Sequence, residues 1–181
     1  MDDERQSGTS GKSRARRGNS TERGPLRAEP PSFPSLPAMF LAQAAGRPGR
    51  PFLWQRRAGA WTARTYGDTR REVSEVYRGL RALGLAPGDR IFLLAENRPE
   101  WLIADLAILA AGGVTVPAYV TNTAESHRHL LVNTRARGAV VSTPALLRQV
   151  LAVAPPELEF VVCLEPPRSI ASSGPALHSW G

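Results

Sequence analysis

The sequence predicts an α/β fold: a partial, doubly wound and mainly parallel sheet with flanking helices, preceded by a β-hairpin. Three observations carry this. First, Ile91 to Leu94 is a short continuous apolar run behind a Pro-Gly-Asp turn, the pattern of a strand buried on both faces of a parallel sheet. Second, that run begins a βαβ unit. Pro99 stands where a helix's first turn tolerates proline, the helix runs to about Ala111, Gly112 and Gly113 stop it, and Val114 to Val116 form a second buried strand closed by Pro117. Third, strand and helix patterns keep alternating to Cys163, which favours parallel pairing with crossover helices.

Residues 1–35 come first in chain order. They are rich in Arg, Ser, Gly and Pro and poor in aliphatic side chains, so they bury too little surface to offset their ordering entropy and read as a disordered basic tail. The tail lacks the apolar stretch of a secretory signal, and Asp2, Asp3 and Glu4 argue against a mitochondrial presequence. Gly11-Lys12-Ser13 is a poor phosphate loop, since Gln6 occupies the place of the motif's first glycine and no strand precedes it. Asn19-Ser20-Thr21 fits a glycosylation acceptor by accident.

The ordered portion is expected over 36–165. Leu36 to Ala45 suggests a short helix ended by Gly46 and Pro48. Phe52 to Trp54 and Trp61 to Thr65 read as the strands of a hairpin turning near Ala58-Gly59-Ala60. Thr65 can cap a helix that carries Val73, Val76, Tyr77, Leu80 and Leu83 on one face. Its other face, with Arg70, Arg71, Glu72, Glu75 and Arg78, reads as solvated. Beyond the βαβ unit, Glu125 to Thr134 and Pro144 to Val153 read as helices, and Gly138 to Ser142 and Phe160 to Cys163 as strands. Residues 166–181 read as loop at a truncated end. The helix from Pro99 is apolar around most of its circumference, with only Asp105 breaking the ring. A helix of that kind needs cover on more than one side and is the element expected to expose apolar surface in this chain.

Composition and chemistry narrow the function classes. At 181 residues and 42% hydrophobic, the chain holds one ordinary core. Its net charge of +7 favours acidic partners without naming any. No nucleic-acid partner is expected, because aromatic residues are absent between the charges of the tail until Phe33. The single cysteine, Cys163, lies in an apolar run and reads as a small hydrophobe, which fits a reducing, cytoplasmic location. A transmembrane span over Trp101 to Val120 is argued against by Asp105, the glycine pair and Pro117. His127 and His129 do not form a metal pair, since residues two apart on a helix project to nearly opposite sides; a solvated or capping role is expected. There is no Gly-x-Ser-x-Gly elbow, cysteine pair or metal-ligand cluster. The expected site list is therefore empty: catalytic none, cofactor-binding none, metal none.

The run from Trp61 to about Val162 nevertheless resembles the N-terminal part of the adenylate-forming acyl-CoA synthetases, most closely the long-chain fatty-acid CoA ligases. Arg64-Thr65-Tyr66-Gly67-Asp68, Gly84 to Ile91, Asn97 to Trp101 and Leu106 to Thr123 are similar to four family segments, in order and at familiar spacing. His178-Ser179-Trp180 is similar to the stretch these enzymes carry before their phosphate loop. The chain departs from the family pattern at Arg64, where an apolar residue is usual, and at Ala118 before Tyr119.

The resemblance implies a family that joins ATP and a carboxylic acid into an acyl-adenylate and then transfers the acyl group to coenzyme A, with Mg2+ offsetting phosphate charge. It implies ATP, Mg2+ and coenzyme A for the full-length enzyme and none bound by this chain alone. It also implies a C-terminal remainder as partner, a fatty-acid substrate for the complete form, and peripheral rather than transmembrane membrane contact. The phosphate loop, the later acids and the C-terminal lysine lie beyond the matched region, so no family catalytic residue transfers to a position here. The alternative is a stand-alone, non-catalytic partner-binding or regulatory module built on the same scaffold. Most of the matched positions read as scaffold. Asn97 is the best candidate for lining a pocket, because it follows a strand's carboxyl end.

Overall fold

The computed structural model describes residues 32–167 and 174–180. The basic tail with Gly11-Lys12-Ser13 and Asn19-Ser20-Thr21 lies almost wholly outside the described residues. Helix α1 (Leu36–Gly46) is followed by a hairpin of β1 (Pro51–Arg57) and β2 (Ala60–Thr65), then by α2 (Tyr66–Ala82). Next come β3 (Arg90–Leu94), α3 (Pro99–Ala110), β4 (Val114–Ala118), α4 (Ala124–Thr134) and β5 (Gly138–Val141). The described chain finishes with α5 (Pro144–Leu151), β6 (Phe160–Cys163) and β7 (Ala176–Ser179).

Local chemistry explains the boundaries. Thr65 forms a reciprocal capping box with Asp68 at the start of α2, satisfying two backbone donors that would otherwise be orphaned. Ser35, Thr123 and Thr143 cap α1, α4 and α5 by accepting from the backbone N–H three residues on. The hairpin turns through Ala58 and Gly59, both at positive φ, a conformation that matches the twist of paired antiparallel strands.

The five-stranded sheet is parallel throughout, in the order β4-β3-β5-β6-β7. Alternate side chains divide between its two faces, as the pleat requires. Ile91, Leu93, Val140, Phe160 and Val162 pack with α1, α2 and α3 through Phe40, Val73, Leu80, Ile103 and Ala107. Phe92, Leu94, Ala139, Val141 and Val161 pack with α4 and α5 through Leu131, Leu147 and Val150. Cys163 lies in this second cluster, where burial pushes its thiol pKa up. This is the doubly wound α/β fold that the sequence predicts.

Four expectations need correction. The strand at Val114 is not buried on both faces: β4 is an edge strand, Val114 is 48% exposed, and pairing continues through Pro117 opposite Leu93. An edge tolerates proline because one side of its ladder needs no donor. The 166–181 region is not all loop, since Ala176–Ser179 pairs in parallel with β6. Only Leu177 in that strand packs into a core cluster, so it shows no apolar run. Third, α3 is not left uncovered, because α1 and α2 close over it and bury Ile103, Ala104, Leu106, Ala107 and Ile108. The large exposed apolar side chains lie elsewhere, with Trp54, Trp61 and Tyr119 among the most open. Fourth, the polar face of α2 is only partly solvated, since Glu72 is half-buried and bonded to Arg64. Among the described residues, no helix is long and apolar enough to cross a membrane.

Candidate functional site

A doubly wound sheet opens a crevice where neighbouring strands send their crossover helices to opposite faces. Here that point falls between β3, which leads into α3, and β5, which leads into α5. The Ser142 hydroxyl at the end of β5 donates to the Glu96 carboxylate at the end of β3. Ser142 is fully buried, so this pair latches two strand ends and does not present a nucleophile with its base.

The loop after β3 divides two open grooves. One, of about 500 Å³, lies toward β4 and is lined by Ala95, Glu96, Asn97, Trp101, Ala118 and Tyr119. The other, of about 630 Å³, lies toward the hairpin and is lined by Asn97, Arg98 and Trp101 together with Leu53, Trp54 and Arg56. Asn97 and Trp101 belong to both. Asn97, the residue singled out by its place after a strand end, is exposed between the two. Its amide can donate and accept hydrogen bonds beside the Trp101 ring, a combination suited to orienting a polar group against an apolar wall.

A charge cluster holds this loop. Glu100, in the first turn of α3 and 8% exposed at its side chain, accepts from Arg64 on β2 and from Arg98 Nε at 2.8 Å. Arg64 also donates to Glu72 at 2.6 Å, and Arg98 to Glu165 at 2.7 Å. Burial alone would raise the Glu100 pKa, but the Arg98 hydrogen bond and the neighbouring arginine charges outweigh it and hold the carboxyl below its ordinary value. Glu72 goes the other way, because burial outweighs the attraction of Arg64. A buried acid beside a half-buried one would be costly alone; shared arginines make the arrangement tenable and tie hairpin, α2 and α3 to the same edge. Arg64, the departure from the family pattern, thus has a structural reason, which the spacing of Arg64, Glu72 and Glu100 along the chain gave no means of detecting.

His127 corrects another expectation. It is fully buried, not solvated, and meets Phe92 edge-on at a centroid separation of 5.7 Å. Its Nε2 lies 3.2 Å from the carbonyl oxygen of Tyr119, while its Nδ1 is buried without a hydrogen-bond partner among the described residues. That pairing assigns the proton to Nε2 and anchors the loop after β4. His129 is exposed, so the two histidines do not converge. Among the described residues, no group of three or more His, Cys, Asp or Glu side chains is placed to hold a metal ion.

Comparison with known proteins agrees with this architecture. The chain is 41% identical over 78 residues to the long-chain-fatty-acid–CoA ligase FadD15 of Mycobacterium tuberculosis, covering 43% of this chain and 13% of that protein. It is 28% identical over 123 residues to the Drosophila melanogaster long-chain-fatty-acid–CoA ligase heimdall, covering 66% of this chain and 18% of that one. The chain therefore spans only a small part of the length of these relatives. Among solved structures, the anthranilate CoA ligase AuaEII in complex with anthranoyl-AMP superimposes with a TM-score of 0.70 at 19% identity, over 79% of this chain and 27% of that one. Acetoacetyl-CoA synthetase from Streptomyces lividans gives 0.69 at 24% identity, over 80% and 24%. The fold is thus shared with the N-terminal domains of adenylate-forming enzymes. The family model described as AMP-binding enzyme matches residues 40–176, and the chain belongs to that family.

Proposed function

We propose that this chain is the N-terminal α/β portion of an ATP-dependent long-chain fatty-acid CoA ligase, without acyl-activating activity of its own. The observation that supports this best is the 41% identity to a long-chain-fatty-acid–CoA ligase within a family match that runs through the doubly wound sheet. In the complete enzyme the fatty-acid carboxylate attacks the α-phosphorus of ATP, expelling pyrophosphate, and the coenzyme A thiolate then displaces AMP from the acyl carbonyl. Adenylation is needed because a free carboxylate is a poor electrophile at neutral pH.

The residues of this chain do not suit the ATP phosphates or Mg2+. Among the described residues, the exposed acids at the carboxyl edge, Glu96 and Glu165, are already bonded to Ser142 and Arg98, and no glycine-rich loop follows β3 or β5. We therefore assign phosphate and metal binding to parts of the ligase outside this chain. The share given to this chain is a rigid wall: Asn97, Trp101 and Tyr119 line the crevice edge, and the Glu100 cluster and His127 hold the loops that carry them. We place the enzyme in the cytoplasm, with a C-terminal remainder as the obligatory partner of this portion.

Acid-dependent exchange of labelled pyrophosphate into ATP tests this reading. Residues 1–181 alone are expected to give no exchange above a boiled control, and the same chain joined to the following coding sequence is expected to give exchange with long-chain fatty acids. Exchange by the isolated chain overturns the assignment of phosphate binding elsewhere. A stop codon directly after Gly181, with no exchange under any condition, favours the stand-alone module.

A further inference from the structure

The carboxyl ends of β3, β5 and β6 are joined by a closed ring of bonds. The Ser142 hydroxyl at the end of β5 donates to the Glu96 carboxylate. The Ser142 carbonyl accepts from the N–H of Glu165, in the segment leaving β6, at 3.0 Å. The Glu165 carboxylate in turn accepts from Arg98 Nη1 at 2.7 Å, and the backbone from Glu96 to Arg98 completes the circuit. Asn97 lies in the middle of that backbone arc, and its own amide supplies none of these bonds.

The backbone of Arg98 is extended, at φ −142 and ψ 156, and in extended chain neighbouring side chains alternate in direction. With Glu96 bonded toward β5 and Arg98 toward the exit of β6, Asn97 is turned to the other side, where both grooves reach it. Arg98 is held as a fork, with Nη1 on Glu165 and Nε on Glu100 at 2.8 Å, and a planar guanidinium bonded at two edges has little freedom to rotate. Stability alone accounts poorly for the Glu165 arm. That side chain is 55% exposed, and ion pairs so open to water contribute little to folding. Such a bond matters more for geometry, because a small displacement of a contact residue at a ligand crevice is costly to reaction rate. We propose that Ser142, Glu165 and Arg98 are positioning residues: by closing this ring they hold Asn97 at the crevice edge in the orientation that binding there requires. The catalytic consequence rests on the ligase reading, whereas the ordering of Asn97 belongs to the chain itself.

The test has two arms. In the 181-residue chain, nitrogen-15 relaxation of the Asn97 backbone amide is expected to give an order parameter of about 0.85, falling toward about 0.6 in Glu165→Ala and in Ser142→Ala. The unfolding midpoint of Glu165→Ala is expected to stay close to that of the unaltered chain. Glu165→Gln keeps an acceptor for Arg98 and is expected to keep Asn97 ordered. In the chain joined to its following coding sequence, Glu165→Ala is expected to lower kcat/KM for adenylation about fivefold, and Glu165→Gln less than about twofold. Comparison with Asn97→Ala separates positioning from a merely structural role. Because Glu165 acts through Asn97, adding Glu165→Ala to Asn97→Ala should bring no further loss. Fully additive losses overturn the proposal, and so does an Asn97 amide equally ordered with and without the ring. A joined chain that shows no exchange in its unaltered form defeats the ligase reading, and the order parameter alone then decides the ring.

Discussion

The two ends of the parallel sheet are built on different principles. At the amino end, backbone and charge bonds tie neighbouring elements together. Arg137 Nη1 donates to Asp89 at 2.7 Å and to the Gly84 carbonyl, while its Nε donates to Glu159 at 3.0 Å. Arg90 reaches the Thr134 and Arg135 carbonyls at the end of α4. Gly88 N–H donates to the Gly112 carbonyl, and Gly112 sits at φ 80 against Pro87. The carboxyl end has the opposite character: two grooves, an exposed Asn97 and an 80% exposed Tyr119. Both ends pair charged groups, but the carboxyl end also leaves Asn97 and Tyr119 open at the groove. Substitutions at the two ends should therefore separate stability from function.

The largest effect is expected at the amino end, from Gly138→Ala. A Cβ at Gly138 would lie 2.3 Å from the Phe160 ring, which is itself 3% exposed and unable to swing into solvent. Overpacking of this kind costs about 3 kcal/mol. Urea unfolding followed by circular dichroism should show the loss, and an unchanged midpoint would mean the ring has room to move.

Next comes Glu100→Gln, which tests how far the carboxyl end also relies on charge. The substitution leaves Arg64 and Arg98 facing a neutral group in a buried setting, at an expected cost of about 2 kcal/mol at neutral pH. Because its folded pKa is lowered from 4.5, the Glu100 contribution is present above the unfolded value and lost as pH falls through the folded one. The gap between the unaltered and Gln chains should therefore close on acidification below pH 4.5. Asp89 at the amino end is shifted in the same direction from 3.8: burial opposes the shift, while the Ala86 backbone N–H and Arg137 outweigh it. Both ends are thus expected to lose stability in acid.

Glu72→Gln should behave in the opposite sense, with a smaller amplitude. Its folded pKa is raised from 4.5 by burial, so its favourable contribution belongs to the protonated form and is lost as pH rises through the folded value. A glutamine mimics the protonated form and should gain stability at pH 7 by less than about 1 kcal/mol, since the side chain is 30% exposed. The gain should vanish below pH 4.5. A gain that persists in acid would point to packing rather than ionisation.

The difference between the ends also explains what could be read in the sequence. The amino end also has distant pairs, Arg137 with Asp89 and Arg90 with Thr134, but its turns carry local signals. Pro87-Gly88-Asp89 and Gly112-Gly113 are turn residues next to apolar runs, and they yielded the βαβ unit with boundaries close to those observed. The carboxyl end is made of distant pairs: Glu96 with Ser142, Arg98 with Glu165, Arg64 with Glu100. Each partner is an ordinary polar residue on its own element, and periodicity says nothing about which strand ends become neighbours. His127 illustrates the limit, because a histidine one turn into a polar helix reads as solvated until Phe92 and Tyr119 are seen beside it. Asn97 was legible only through a topological rule, that ligands gather at strand carboxyl ends. Strand β7 was hidden for a different reason, since an exposed edge strand of four residues needs no apolar run.

The smallest effect on stability is expected from Asn97→Ala, and that smallness is its use. Asn97 is exposed, makes no cap hydrogen bond to α3, and precedes Arg98, whose own side chain does not cap the helix either. Removing its amide deletes no buried polar contact, so unfolding should change by less than about 0.5 kcal/mol. If Asn97 orients a ligand at the crevice edge, the same substitution in the complete ligase should lower kcat/KM for adenylation about tenfold, the loss of one well-placed hydrogen bond. Asn97→Asp should separate hydrogen bonding from charge, because the carboxylate keeps an acceptor and loses the donor. A ligase whose adenylation is indifferent to both changes would show that the loop after β3 frames the crevice without touching what binds there, and the candidate contacts would reduce to Trp101 and Tyr119.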